Sequence, residues 1–122
     1  MSLQILMNFL KRNALKFLEE AKESFKKEDY AFAMLFVEQA VQLALKYLLA
    51  RRFGDFPRTH SLKLLFELTG DDGLMAFYRE NVDLIREIEL AYIASRYTDV
   101  EYTKAVVERA LQLAERLMGM IE

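Results

Sequence analysis

Cysteine is absent from the chain. No disulfide and no thiolate zinc site can therefore form, and a cytoplasmic location is expected. A single histidine, His60, excludes paired-histidine metal sites. With one proline and four glycines in 122 residues, little interrupts regular helices, and no glycine-rich phosphate loop is present. Charge of one sign is also missing: the net charge of -2 sets up no global field towards nucleic acid or anionic lipid, so any anion site must be local. No alternating strand pattern, low-complexity tract or internal repeat occurs. The opening stretch, MSLQILMNFLKRN, lacks the basic-then-apolar order of a secretory leader and reads as the start of a helix. No metal or cofactor is expected.

Apolar residues are plentiful, at 53%. They concentrate in YAFAMLFVEQAVQLALKYLLARR, from Tyr30 to Arg52, which is apolar almost all the way round when wound at helical pitch. Its main polar stripe is Glu38, Gln42 and Lys46, spaced four apart, with Gln39 beside it. Such a helix must be surrounded by other helices. Its length suits a membrane span, but two glutamines, a glutamate and a lysine inside the run argue against insertion. The stripe reads as an i,i+4 hydrogen-bonded network or as the polar floor of a site.

The remaining elements follow in chain order. Leu3, Leu6, Met7, Leu10, Ala14, Phe17, Leu18, Ala21 and Phe25 mark a long amphipathic first helix. A polar turn, Lys26 to Asp29, is short enough to make an antiparallel hairpin, with Asp29 as N-cap of the central helix. Gly54 ends that helix, and Pro57 makes its surroundings extended. Thr59 or Ser61 caps a short helix from Leu62 to Leu68. Asp71 or Asp72 starts a turn leading into a longer helix with Ile85, Ile88 and Tyr92 inward. After a break at residues 96–99, Thr98 or Asp99 caps a last helix carrying Tyr102, Val106, Ala110, Leu113 and Leu117. The expected fold is all-α: one domain over residues 1–122, an up-and-down four-helix bundle with one extra short helix.

Two places could hold chemistry. The bend after the central helix gathers Arg51, Arg52, Arg58, His60 and Lys63 against Asp55 alone, at the start of a new helix with free N–H groups. That set suits phosphate or another anion. The alternative is structural, with Arg51 and Arg52 meeting the helix dipole and His60 bonded to a neighbour. Second, Tyr92, Arg96 and Tyr97 at a helix end could offer stacking surfaces and a charged donor, or could simply pack the bundle. The carboxylates at helix starts are explained by capping.

The sequence resembles the HEPN family of small helical prokaryotic proteins over most of its length. The resemblance rests on Glu38-Gln39-Ala40-Val41 leading to Lys46, on the bend Pro57-Arg58-Thr59-His60-Ser61-Leu62, and on Arg96-Tyr97-Thr98-Asp99 before the last helix. It implies a homodimer, often encoded beside a minimal nucleotidyltransferase as a toxin–antitoxin-like pair, binding nucleotides or acting on RNA. With the basic bend facing a helix start, the expected ligand-binding residues are Lys46, Arg52, Arg58, His60, Arg96 and Tyr97. Ribonuclease members carry an arginine, four to six residues, then a histidine. Here Arg96 has no histidine after it, Arg52 lies too far from His60, and Arg58 too near. Nucleotide or phosphate binding is therefore expected ahead of metal-independent RNA cleavage by His60. A purely structural dimerisation module is the third reading.

Overall fold

The computed structural model describes residues 2–97 and 100–122, with the side chains of Ser95 and Arg96 outside that description. Six helices follow one another: α1 (Leu3–Lys26), α2 (Tyr30–Phe53), α3 (Leu62–Leu68), α4 (Asp72–Glu80), α5 (Val82–Tyr97) and α6 (Lys104–Ile121). No strand occurs among the described residues. The four long helices form the bundle; α3 and α4 are two short helices where one was expected.

Local chemistry sets the boundaries. Ser2 and Asp29 cap α1 and α2, each accepting a backbone N–H from three residues on. Glu28, at φ 61, turns the chain between them. α2 ends in Gly54, whose φ of 80 suits glycine and lets its N–H reach the Ala50 carbonyl. Ser61 caps α3 and Asp71 caps α4. α4 is a separate helix and not a turn leading into α5. Asn81 closes it, donating from Nδ2 to the Phe77 carbonyl, while its own carbonyl accepts from Ile85 and begins α5. The expected caps Thr98 and Asp99 lie outside the described residues. The cap that starts α6 is Thr103, and Tyr102 precedes the helix instead of riding on it.

α2 is the hub. Ala33, Met34, Val37, Ala40, Val41, Ala44, Leu45, Leu48 and Leu49 are all buried, covered by α1, α5, α6 and α3. Alone among the described helices it is long and apolar enough to cross a membrane, and burial within the bundle accounts for that composition. α1 runs antiparallel to it: Phe17 stacks on Phe36 at 6.0 Å, and Phe25 meets Tyr30 at 5.9 Å. Small buried residues on both helices (Ala14, Ala21, Ala33, Ala40, Ala44) let the backbones approach closely. α6 is tied to α1 by Lys22 and Glu115 at 3.5 Å, and to the end of α2 by Arg51 donating to the Ile121 carbonyl at 2.8 Å. Phe66 of α3 is fully buried against Phe77 and Tyr78 of α4, which makes the short pair a flap on one end of α2.

Candidate functional site: the bend and the buried polar ladder

The polar stripe of α2 is an internal ladder. Glu38 is 0% exposed and Lys46 is 8% exposed. Gln42 bridges them, donating from Nε2 to Glu38 Oε2 at 2.8 Å and accepting from Lys46 Nζ at 2.9 Å. Gln39 supplies a second donor to Glu38 at 2.6 Å. The Lys46 ammonium lies 5.7 Å from the centre of the Phe56 ring, so the chain beyond α2 folds back over it. Burial pushes the Glu38 carboxyl above its ordinary value; the amides of Gln42 and Gln39 pull it back, the Glu89 charge adds to the rise, and Lys46 opposes it. Burial likewise pushes Lys46 down, against the attraction of Glu38. Lys46 is engaged inside the core, and the network reading of the stripe holds.

These shifts have a signed consequence. The native state holds the Glu38 proton more tightly than the unfolded chain, whose carboxyl titrates near 4.5. The resulting stabilisation is complete below that pH and is lost as pH rises through the higher native value. A Glu38→Gln protein lacks this titration. The stability advantage of the wild type over Glu38→Gln, measured by urea denaturation, is expected to shrink as pH rises above 4.5. Parallel profiles would remove the buried carboxyl as the cause.

At the bend the helix start is already occupied. The Leu62 N–H donates to Glu89 Oε1 at 2.6 Å, across from α5, and the Leu64 N–H to Ser61 Oγ at 3.2 Å. An internal carboxylate thus sits where an anion was expected, complementing the first turn of α3. Arg51 and Arg52 also have internal roles. Arg51 reaches Ile121 and lies 5.2 Å from the Tyr47 ring centre. Arg52 donates to the Thr69 carbonyl at 3.2 Å and pairs with Asp71 Oδ2 at 3.0 Å. Asp71 is held below the usual carboxylate value, first by the Leu74 N–H and then by Arg52. Arg52 therefore serves the far end of α3, about 10 Å of helix from His60.

What the bend presents outward is a stack. The exposed His60 ring lies on Tyr92 of α5, with centroids 4.8 Å apart and planes 19° from parallel. Arg58 and Lys63, on either side of it in the chain, are exposed and make no ion pair among the described residues. Tyr97 is exposed, but five residues beyond Tyr92 it is turned about 140° away round the helix. The Arg96 side chain lies outside the described residues. Of the sequence-derived set, His60 lies on Tyr92, and Arg58 is exposed two residues before it in the chain; Lys46 and Arg52 are drawn into separate internal contacts, and Tyr97 is turned elsewhere. Sequence reasoning missed Glu89 and Phe56. The only trace of Glu89 was a carboxylate beside the inward positions Ile85 and Ile88. Among the described residues no group of three His, Asp or Glu could hold a metal ion.

A helical bundle with a buried polar ladder on its central helix and a histidine-bearing bend defines the class. The chain belongs to the HEPN family: the HEPN domain model matches residues 7–122. Comparison with curated proteins finds no match.

Proposed function

We propose that this HEPN-domain protein takes a nucleotide, free or at the end of an RNA, on the His60–Tyr92 stack. In this reading it works as a homodimer beside a nucleotidyltransferase partner in a toxin–antitoxin-like pair. One observation carries the ligand: an exposed, π-stacked His60 with Arg58 two residues before it and Lys63 three after it, neither in an ion pair among the described residues. A base continues the stack, a contact that every base can make through its π-face. Phosphate is met by the side chains of Arg58 and Lys63, because the backbone at the α3 start is already bonded. The homodimer and the nucleotidyltransferase partner rest on the family resemblance.

The test is a thermal-shift panel of ATP, GTP, AMP and a short RNA on the wild type, His60→Ala and Arg52→Ala. Binding raises the melting temperature as ligand concentration passes its Kd. The shift is expected for the wild type and for Arg52→Ala, and is expected to vanish in His60→Ala. Absence of any shift in the wild type sinks the nucleotide reading. RNA cleavage by the wild type that His60→Ala lacks would replace binding with metal-independent ribonuclease chemistry, in which His60 acts as general acid or base.

A further inference from the structure

The arginines of the chain divide by what they touch. Arg12 lies 5.9 Å from the Phe9 ring centre and Arg116 lies 5.1 Å from that of Phe77. Arg51 is bonded to Ile121, and Arg52 to Thr69 and Asp71. No hydrogen bond, ion pair or ring contact among the described residues involves Arg58 at the bend, or Arg79, Arg86 and Arg109. The last three stand on three different helices, α4, α5 and α6, yet they line one cavity of about 670 Å³. All three are exposed.

Local structure explains why they stay unengaged. Arg79, in the last turn of α4, could serve the final carbonyls of that helix. Asn81 has already taken them, donating from Nδ2 to Phe77 at 2.8 Å and from its backbone N–H to Tyr78 at 3.1 Å. Arg109 has Ala105, Val106, Gln112 and Leu113 as its neighbours one turn away, so α6 offers it no carboxylate. Arg86 has Glu89 one turn on, but that carboxylate accepts from the Leu62 N–H. Asp83, one turn before Arg86, lies in the first turn of α5, where the helix dipole suits it, and forms no ion pair. Glu80 and Glu87 line the same cavity, likewise with no arginine in salt-bridge contact.

Three guanidiniums and three carboxylates thus border one space without neutralising one another. A bare anion entering it would meet the carboxylates uncompensated. A molecule that carries both phosphate and hydroxyl groups satisfies both sets: guanidinium forks donate to phosphate oxygens, and carboxylates accept from hydroxyls. No aromatic ring lines the cavity, so a base finds no stacking surface there. Its volume falls within the roughly 300–1,000 Å³ of small-molecule sites. We propose that the cavity between α4, α5 and α6 binds a phosphorylated sugar, with the phosphate on Arg79, Arg86 and Arg109 and the sugar hydroxyls on Glu80, Asp83 and Glu87.

The cavity is separate from the His60–Tyr92 stack, since neither ring lines it, and the test keeps the two apart. Isothermal titration of the wild type with ribose 5-phosphate and with glucose 6-phosphate, which have no base, is expected to show binding tighter than that of inorganic phosphate or of ribose. Arg79→Ala and Arg109→Ala are each expected to weaken it roughly tenfold, the cost of a lost charge-assisted bond. Neither should change the melting temperature without ligand, because neither side chain has a partner to lose. Arg58→Ala, at the bend, is expected to bind as the wild type does. A wild type that takes neither sugar phosphate at millimolar concentration overturns the proposal. Binding that survives both Arg79→Ala and Arg109→Ala, or that Arg58→Ala abolishes, overturns it too, as does inorganic phosphate held as tightly as either ester.

Discussion

Gln42→Leu is expected to destabilise the fold by about 3–5 kcal/mol, although leucine is of similar size, more apolar and at home in a helix. Among the described residues Gln42 is the one side chain hydrogen-bonded to both Glu38 and Lys46, using its amide nitrogen on one and its amide oxygen on the other. Leucine removes both contacts at once. The Glu38 carboxylate keeps Gln39, but the Lys46 ammonium keeps the Phe56 ring and the attraction of Glu38 with no hydrogen bond among the described residues. Each lost bond to a charged group costs roughly 1.5–3 kcal/mol, because the group remains buried without its partner. For a chain of this size the melting temperature would fall by roughly 10–20 °C. Replacing the whole ladder, as Glu38→Met, Gln42→Leu and Lys46→Met together, is expected to recover most of that loss, since no buried charge is then stranded. Urea denaturation of both proteins decides the matter. A Gln42→Leu protein as stable as the wild type would show that the three residues do not act as a unit.

Phe66→Ala is expected to cost about 3–5 kcal/mol, the range for emptying a buried aromatic site. Phe66 has no exposure, and its ring centre lies 6.2 Å from that of Phe77 and 5.3 Å from that of Tyr78, so this side chain links α3 to α4. The effect should extend to the candidate site. α3 holds the Leu62 N–H against Glu89, and the residue two before it, His60, lies on Tyr92. With its anchor removed, the flap opens locally more often than the whole bundle unfolds. Hydrogen exchange should therefore accelerate in α3 and α4 while α1 and α2 stay protected, and the nucleotide-induced thermal shift should weaken. Equal protection in all helices, with a loss under 1 kcal/mol, would show that the α3–α4 pair is held by something other than Phe66.

Most of the architecture was legible because it is written locally. The apolar girth of α2 required surrounding helices; Asp29, Ser61, Asp71 and Gly54 are capping residues whose partners lie within four positions. The break between α4 and α5 was not legible. Neither proline nor glycine marks it, and the apolar run of Leu74, Phe77 and Tyr78 passes into Ile85 almost in phase. Thr103 was overlooked as a cap because Tyr102 before it fits the periodicity of α6. The site suffered from distance in the chain. Arginines gathered within eight residues looked like one cluster, yet Arg51 and Arg52 leave in different directions, to Ile121 and to Asp71. Glu89 reaching Leu62 and Tyr92 reaching His60 tie α5 to the start of α3 and to the bend before it, contacts that no single-helix pattern encodes.

The order of the helices, with the hub before most of its cover, has a consequence for synthesis. α1 and α2 are complete by residue 53, whereas α6, which covers another side of α2, ends at residue 121. At translation rates of roughly 5–20 residues per second, several seconds pass before that cover exists. The hairpin, rich in contacts close in sequence, forms at once on that scale. It then waits at the ribosome without the cover that α5 and α6 give α2 in the finished fold. For those seconds the nascent chain is a ready client for a holdase chaperone, and any slowing of translation after α2 lengthens the risk of aggregation.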